Sequence, residues 1–467
     1  MHLVSCKQII GGFHMRKAAS FLFIFGIILL SVEAFAGSID YLSNQSAEYV
    51  MNFSRNAATD SADAAVYNPA GLAFLPRDGL YLNASLQYID KPMSETFMNV
   101  RYEQNEPSYV PNLYTVYKKD RLAAFFAFSV TAGGGKAKWT DGSATTAPLI
   151  SQIGGAIAGG FELLNPGLGG SGTTSVNDQW IEGDSSYVGL MPGVAYKIND
   201  NVSASLAVRY IISERSAAAF ADFNVDAVLD AVGPVYEGNE TRVIIDDKFE
   251  YKANGIGAVI GLDIKPLDNL LFGIRYETVT KLDFEYDMKR RSATVNGVSN
   301  PLLESQLAAL DKDGKKLRRD LPAVLGIGMD LTVIPGFDLL SSFNYYFIEN
   351  AVWEDARVDG RDYHNGWEIS LGATYRVIPP LKIGAGFLYT ISGETDDTPY
   401  VNENPNLNSR GAAVGFTYTF TPNLDVTLAA EHTWYVTDSV NEGTPFEIEY
   451  KRHVNNIALG IQYRFDM

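Results

Sequence analysis

From Gly79 onward, apolar and polar positions alternate with a period of two in segment after segment. Within 381–390, Leu381, Ile383, Ala385, Phe387 and Tyr389 fall on one face, and Lys382, Gly384, Gly386, Leu388 and Thr390 on the other. Residues 411–420 set Ala412, Val414, Phe416, Tyr418 and Phe420 against Gly411, Ala413, Gly415, Thr417 and Thr419. The final segment opposes Ile457, Leu459, Ile461, Tyr463 and Phe465 to Asn456, Ala458, Gly460, Gln462 and Arg464. Two is the strand period, and runs of about ten residues with aromatics toward their ends suit strands that cross a bilayer with the greasy face outward. The pattern predicts strands at 79–90, 110–118, 121–131, 184–198, 202–216, 244–264, 269–288, 317–332, 337–353, 366–378, 381–392, 410–420, 424–437 and 446–465. That is about fourteen, an even number as a closed single-chain barrel requires.

The connections sharpen this reading. Short turns fall at 118–120, 199–201, 265–268, 334–336, 379–380 and 421–423. Between them lie long polar stretches at 91–109, 132–183, 217–243, 289–316, 354–365, 393–409 and 438–445. A membrane barrel with tight periplasmic turns and long outer loops produces that alternation; a soluble sandwich has no reason to keep it. The fold class expected is therefore all-β: a transmembrane antiparallel barrel spanning residues 79–467. Two of the long connections carry apolar residues at helical spacing, Leu149, Ile150, Ile153, Ile157, Phe161 and Leu164 in one and Phe220, Phe223, Val225, Val228, Leu229 and Val232 in the other. They read either as loop helices packed on the barrel rim or as a hydrophobic groove open to the medium. On the second reading Leu149, Ile153, Ile157, Phe161, Phe220, Phe223, Val228 and Leu229 line the groove.

The first 78 residues differ. Arg16 and Lys17 precede an apolar run from Ala18 to Val32, followed by Ala34-Phe35-Ala36, the layout of a secretory signal peptide over residues 1–36. Residues 37–78 are rich in Ala, Ser and Asn, with helical pieces expected at 46–56 and 61–66. The stretch is too short and too weakly apolar to bury a core of its own. It ends at Tyr67-Asn68-Pro69-Ala70-Gly71-Leu72, where Pro69 pushes Asn68 out of the helical region and Gly71 permits a sharp turn. These residues read as a short plug, or hatch, sheltered inside the lumen.

Composition narrows the function. The chain has 467 residues and a net charge of −18; without Lys7, Arg16, Lys17 and Glu33 of the leader, 34 basic and 54 acidic residues remain. Such a chain repels nucleic acid. The one cysteine, Cys6, lies in the leader, so the processed chain has no disulfide or thiolate metal site. Past the leader no apolar run is long enough for a spanning helix. With 26 Tyr, 25 Phe and 42 Gly, an outer-membrane barrel of a Gram-negative bacterium is the reading that fits.

Several residues, in this order, resemble the outer-membrane long-chain fatty acid and aromatic hydrocarbon transporters (FadL/TodX type, OmpP1-like), over essentially the whole processed chain. Asn68-Pro69-Ala70-Gly71-Leu72 is similar to the Asn-Pro-Ala element that ends that family's hatch. Leu321-Pro322 followed by Gly326 resembles its Leu-Pro strand opening. The run 253–287, with Gly255, Gly257, Gly261, Gly273, Tyr276 and Phe284, resembles its paired mid-barrel strands, and 406–410 leading to Gly415 and Tyr418 is similar to its Pro-Asp-x-x-Arg strand entry, with Asn406 and Asn408 departing from it. The resemblance implies a monomer that takes up hydrophobic small molecules through an outer groove and releases them sideways past a kinked third strand. Gly133, Gly134 and Gly135 follow the third strand and suit such a kink.

A carboxylate-headed cargo needs an apolar tunnel ending in cations. Lys315, Lys316, Arg318 and Arg319 cluster ahead of Leu321-Pro322, and Lys316, Arg318 and Arg319 are the head-group candidates, against a solvated cluster or one facing lipopolysaccharide phosphates. Catalysis finds little support. Of His364, His432 and His453, none has a serine two residues away, and Asp362-Tyr363-His364 is a lone acid–imidazole pair. No metal, nucleotide or nucleophile motif appears, so neither enzyme nor cofactor is expected. A general porin or adhesin-type barrel without hydrophobic cargo is the alternative.

Overall fold

The computed structural model describes residues 41, 43–151, 153–155, 171–228, 241–301, 303–304, 313–354, 364–393, 407–440 and 447–466. Fourteen strands follow one another around a wall: β1 (Gly79–Asp90), β2 (Ser108–Lys119), β3 (Leu122–Ala132), β4 (Ser171–Asn199), β5 (Val202–Val228), β6 (Thr241–Leu267), β7 (Leu270–Glu277), β8 (Val324–Ile334), β9 (Phe337–Tyr346), β10 (Gly366–Ile378), β11 (Leu381–Ile391), β12 (Ser409–Thr421), β13 (Leu424–Tyr435) and β14 (Ile448–Phe465). Each pairs antiparallel with its neighbour, and β14 returns to β1 with Leu82 opposite Tyr463 and Leu86 opposite Leu459. Closure removes the sheet edge, which is what lets a sheet stand in hydrocarbon. The side chains follow: Leu86, Ile256, Phe387, Val414 and Phe420 are exposed on the outer face, whereas Gly386, Ala413 and Ala458 face inward.

Strand boundaries read from the alternation hold to within a few residues for β1, β3, β10, β11, β12 and β13. Others move further: β4 begins at Ser171, inside the expected loop 132–183, β8 begins at Val324 instead of 317, and β9 ends at Tyr346 instead of 353. Three expectations fail in kind. The stretch 217–228 is not helical; it continues β5, with Phe220 opposite Trp180 and Phe223 opposite Val243. Its helical spacing was fortuitous, since Phe223 and Val225 also sit two apart and a neighbouring strand on each side decides the conformation. The expected strand 269–288 breaks after Glu277 and resumes as Asp283–Val295, paired with the outer half of β6. The expected loop 91–109 contains a hairpin, Met93–Phe97 with Val100–Gln104, laid on the outer end of β14. As a result β4, β5, β6 and the resumed β7 rise far beyond the other strands: the 27 residues of β6 reach roughly 90 Å along the strand.

The N-terminal segment fills the bore. Helix α1 (Ala47–Asn52) starts on Ser46, whose hydroxyl accepts from the Tyr49 amide, and ends on Phe53 in the left-handed region. It packs on β11 to β14, while the short helix α2 (Ala64–Tyr67) and the 3₁₀ turn Pro69–Phe74 reach the opposite wall at β3 to β6. Arg55 holds the segment together, with Nε 3.0 Å and Nη2 2.5 Å from the two Asp63 oxygens and Nη1 2.9 Å from Asp60. Where wall and hatch backbones meet, the wall carries glycine: a Cβ on Gly386 or Gly328 would strike the backbone of Asn52 or Asn56.

Candidate functional site: a lumenal cavity that opens through the wall

Pro69 begins the 3₁₀ turn and leaves Asn68 extended, which aims its side chain at the wall. Asn68 Nδ2 donates to Asp263 Oδ1 on β6 at 2.6 Å and to the Asn56 carbonyl at 3.2 Å, and Asn68 Oδ1 accepts from the Ala70 amide. Ser203 on β5 donates to the Ala70 carbonyl at 2.9 Å, and Gly71 lies against the Ala58 carbonyl with no room for a side chain. Asn68, Pro69, Ala70 and Gly71 thus bolt the hatch to β5 and β6. Ser54 to Ser370, the Asn56 amide to Ser342, and the Ala62 amide to Gln462 make three more bolts, to β10, β9 and β14. Arg275 of β7 donates to the Val66 carbonyl at 2.5 Å, and shares Glu277 with Arg209. Tyr41 closes this cluster: its hydroxyl accepts from Arg209 at 2.8 Å, and its backbone bridges to Ala132 at the end of β3.

On the outer side of the hatch lies a cavity of about 470 Å³. Tyr49 and Phe53 of the hatch form its floor. Glu368, Thr390, Ser409, Glu431 and Thr433 make a polar patch on one wall. Glu368 Oε2 accepts from Ser43 at 2.8 Å and from Tyr346 at 2.7 Å, whereas one oxygen of Glu431 is buried without a partner.

The opposite side of the cavity is not a complete wall. Pairing of β2 with β3 ends at Leu113–Phe128, although β2 stays on β1 out to Ser108 and β3 stays on β4. Residues 108–112 and 129–132 therefore face each other without a ladder. The Asn112 side chain, accepting from the Val130 amide at 3.3 Å, is one link across. Pro111, with no N–H to donate, suits such an edge. Beyond Ala132 the chain swings with β4: Gly133 and Gly135 have φ of 99° and 66°, Gly134 N meets Ser185 Oγ at 3.0 Å, and the strand resumes as Ala137–Trp139. A Cβ on Gly133 would overlap the Ser185 backbone, so glycine is required at this bend. Unpaired strand edges cost several kcal/mol per group against lipid and are tolerated where they line a cavity. The cavity reaches both edges, being lined there by Ser108, Val110, Val130 and Gly133–Gly135.

Three cations stand at this end. Lys136 pairs with Glu182 at 3.1 Å, and Arg452 lies over the Tyr435 ring. Lys91, one residue past the end of β1, is buried, and its ammonium donates to the Gly134 carbonyl. Burial, with the nearby Arg452 guanidinium, pulls Lys91 down to about 7.

The sequence-derived groove and head-group residues lie elsewhere. Residues 146–151 and 153–155 are helical, but Leu149 and Ile153 are buried against Phe223, Val225, Val243 and Ile245 of β5 and β6, in a closed core. Phe220 turns to the other face of β5 and stacks on Trp180. Ile157, Phe161 and Leu229 are outside the described residues, as is the Val228 side chain. Lys316 pairs with Glu285 at 3.4 Å, Arg318 with Asp320 at 2.7 Å, and Arg319 is buried over Trp353. No metal-holding cluster occurs among the described residues, and His364 is an exposed partner of Glu349. Lys91 escaped sequence reading because a single lysine at a strand end looks solvated; only the fold buries it.

The closed fourteen-stranded barrel fits what comparison finds. The family model described as outer membrane protein transport protein (OMPP1/FadL/TodX) matches residues 27–465. The chain belongs to this family. Its members are outer-membrane transport proteins, which places the chain in the outer membrane of a Gram-negative cell. Among solved structures, a FadL homologue from Pseudomonas aeruginosa matches at TM-score 0.63 and 15% identity, covering 91% of this chain and 100% of that one. The P. putida toluene transporter TodX matches at 0.60 and 14%, covering 93% and 100%. The CymD monoaromatic hydrocarbon channel matches at 0.53 and 14%, covering 88% and 95%. At these identities the likeness shows the fold. A comparison with curated proteins gave no match.

Proposed function

We propose that this chain takes hydrophobic small molecules, long-chain fatty acids or aromatic hydrocarbons, from the outside medium into the lumenal cavity and releases them sideways into the membrane between β2 and β3. The observation that carries this reading is the ladder that stops at Leu113–Phe128 beside a cavity whose inner side is closed by the hatch. A cargo insoluble in water gains by leaving through the wall, because each apolar Å² it would expose in the periplasm costs about 25 cal/mol. The hatch would block a water-filled route for sugars, which argues against a general porin. On this reading the barrel works as a monomer among outer-membrane lipid and lipopolysaccharide, without cofactor or catalytic residue.

The route can be stapled. Asn112 and Ser129 both point inward and would be opposite each other if the ladder continued. In Asn112→Cys/Ser129→Cys the processed chain has no other thiol. Oxidation should lower uptake of labelled fatty acid or toluene by about tenfold, and reduction should restore it. Uptake indifferent to a verified crosslink would rule out lateral release.

A further inference from the structure

Among the described residues Lys91 is the cation at the wall opening with no ion pair or ring contact, although the charges of Asp184 and Glu106 reach it; its ammonium, with three donors, meets the Gly134 carbonyl. Beside it, against Gly135, lies the Ser108 hydroxyl, buried and without a hydrogen-bond partner. A buried ammonium next to an unpartnered hydroxyl, both lining one cavity, is a site made for an anion with two oxygens. Glu368 lies on the far side of the same cavity, while Asp184 and Glu431 line it nearer to Lys91; Lys136 and Arg452 share the Lys91 end, so an anionic head is drawn toward that cationic end.

The height of the site matches a lipid head group. Lys91 follows Asp90 at the outer end of β1, and just outside the opening Tyr88 and exposed Tyr109 pack at 5.5 Å between ring centres. Outward tyrosines at the end of a spanning strand mark the interface, with acyl chains below. We propose that Lys91, with Ser108, holds the carboxylate of a single-chain amphiphile at the wall opening while its tail passes between β2 and β3, and that the carboxylate replaces the Gly134 carbonyl on the Lys91 ammonium. The exchange releases the glycine segment from the end of β1, so an anionic cargo loosens the edge it must pass. This rests on the lateral route proposed above.

The test uses the whole barrel in cells, with two labelled probes that share a tail, hexadecanoate and hexadecane. Lys91→Met keeps the apolar stem and removes the charge; Lys91→Arg keeps the charge. Losing one charge-assisted hydrogen bond should cut hexadecanoate uptake by about tenfold or more in Lys91→Met, leave hexadecane uptake within about twofold, and spare Lys91→Arg. Ser108→Ala, which removes one atom, should lower hexadecanoate uptake several-fold in the same selective way. Heat-dependent gel mobility reports whether each barrel has folded. Equal effects on both probes, or none on either, overturn the role of Lys91. Wild-type uptake of hexadecane or of labelled toluene without hexadecanoate overturns the carboxylate site and leaves the transport reading standing; uptake of none of the three overturns the transport reading itself.

Discussion

At the scale of single residues, the hatch is held by polar groups that burial makes demanding. Asn68 is the clearest: it satisfies one oxygen of Asp263, which is otherwise enclosed. Glu48 is the most conditional. It lies in α1 and accepts from Asn83 at 2.9 Å, while its other oxygen is buried without a partner. Burial first, and then the Asp63 charge, push its carboxyl up to about 7. A carboxyl raised on folding favours the folded hatch most below the free-glutamate value of about 4.3, and that contribution fades as pH rises through about 7. The span is on the order of 3 kcal/mol. Protection of the 47–52 amides, corrected for intrinsic exchange, should therefore fall between pH 5 and pH 8, and Glu48→Gln should flatten the change. Equal pH response in both proteins would refute this assignment.

At the scale of elements, close approach of α1 to the wall depends on what the wall lacks. Gly386 faces the Asn52 backbone with no space for a Cβ. Gly386→Val should push α1 off β11 at a cost of about 1–3 kcal/mol, leaving the barrel folded but its hatch cleavable by protease. A hatch as resistant as wild type would mean that the wall, rather than α1, gives way. The strands themselves were legible in the sequence because lipid on one side and lumen on the other impose an uninterrupted period of two. Phe220 and Phe223 were misread as helical because that constraint weakens above the bilayer, where β5 and β6 pack on the helix carrying Leu149 and Ile153 instead of on lipid. The glycine run at 133–135 was visible in the sequence. That the ladder parts there depends on β3 following β4 and leaving β2, which no local pattern encodes.

At the scale of the whole molecule, the hatch fills the barrel between its two ends. Removing residues 44–75 takes out the material between β3 to β6 and β11 to β14. Liposomes with that variant should swell in sugar solutions and wild-type liposomes should not; equal swelling would mean that the bore is open beside the hatch.

The sequence by itself determined the class: an exported, acidic chain with a lumenal segment and about fourteen lipid-facing strands, because side-chain alternation and turn length are local properties. Only the tertiary structure decided where the wall opens, which cations are already paired with carboxylates, and that Lys91 is buried at the opening. Those facts arise between residues far apart in the chain, where the burial of one group is set by the path of another strand.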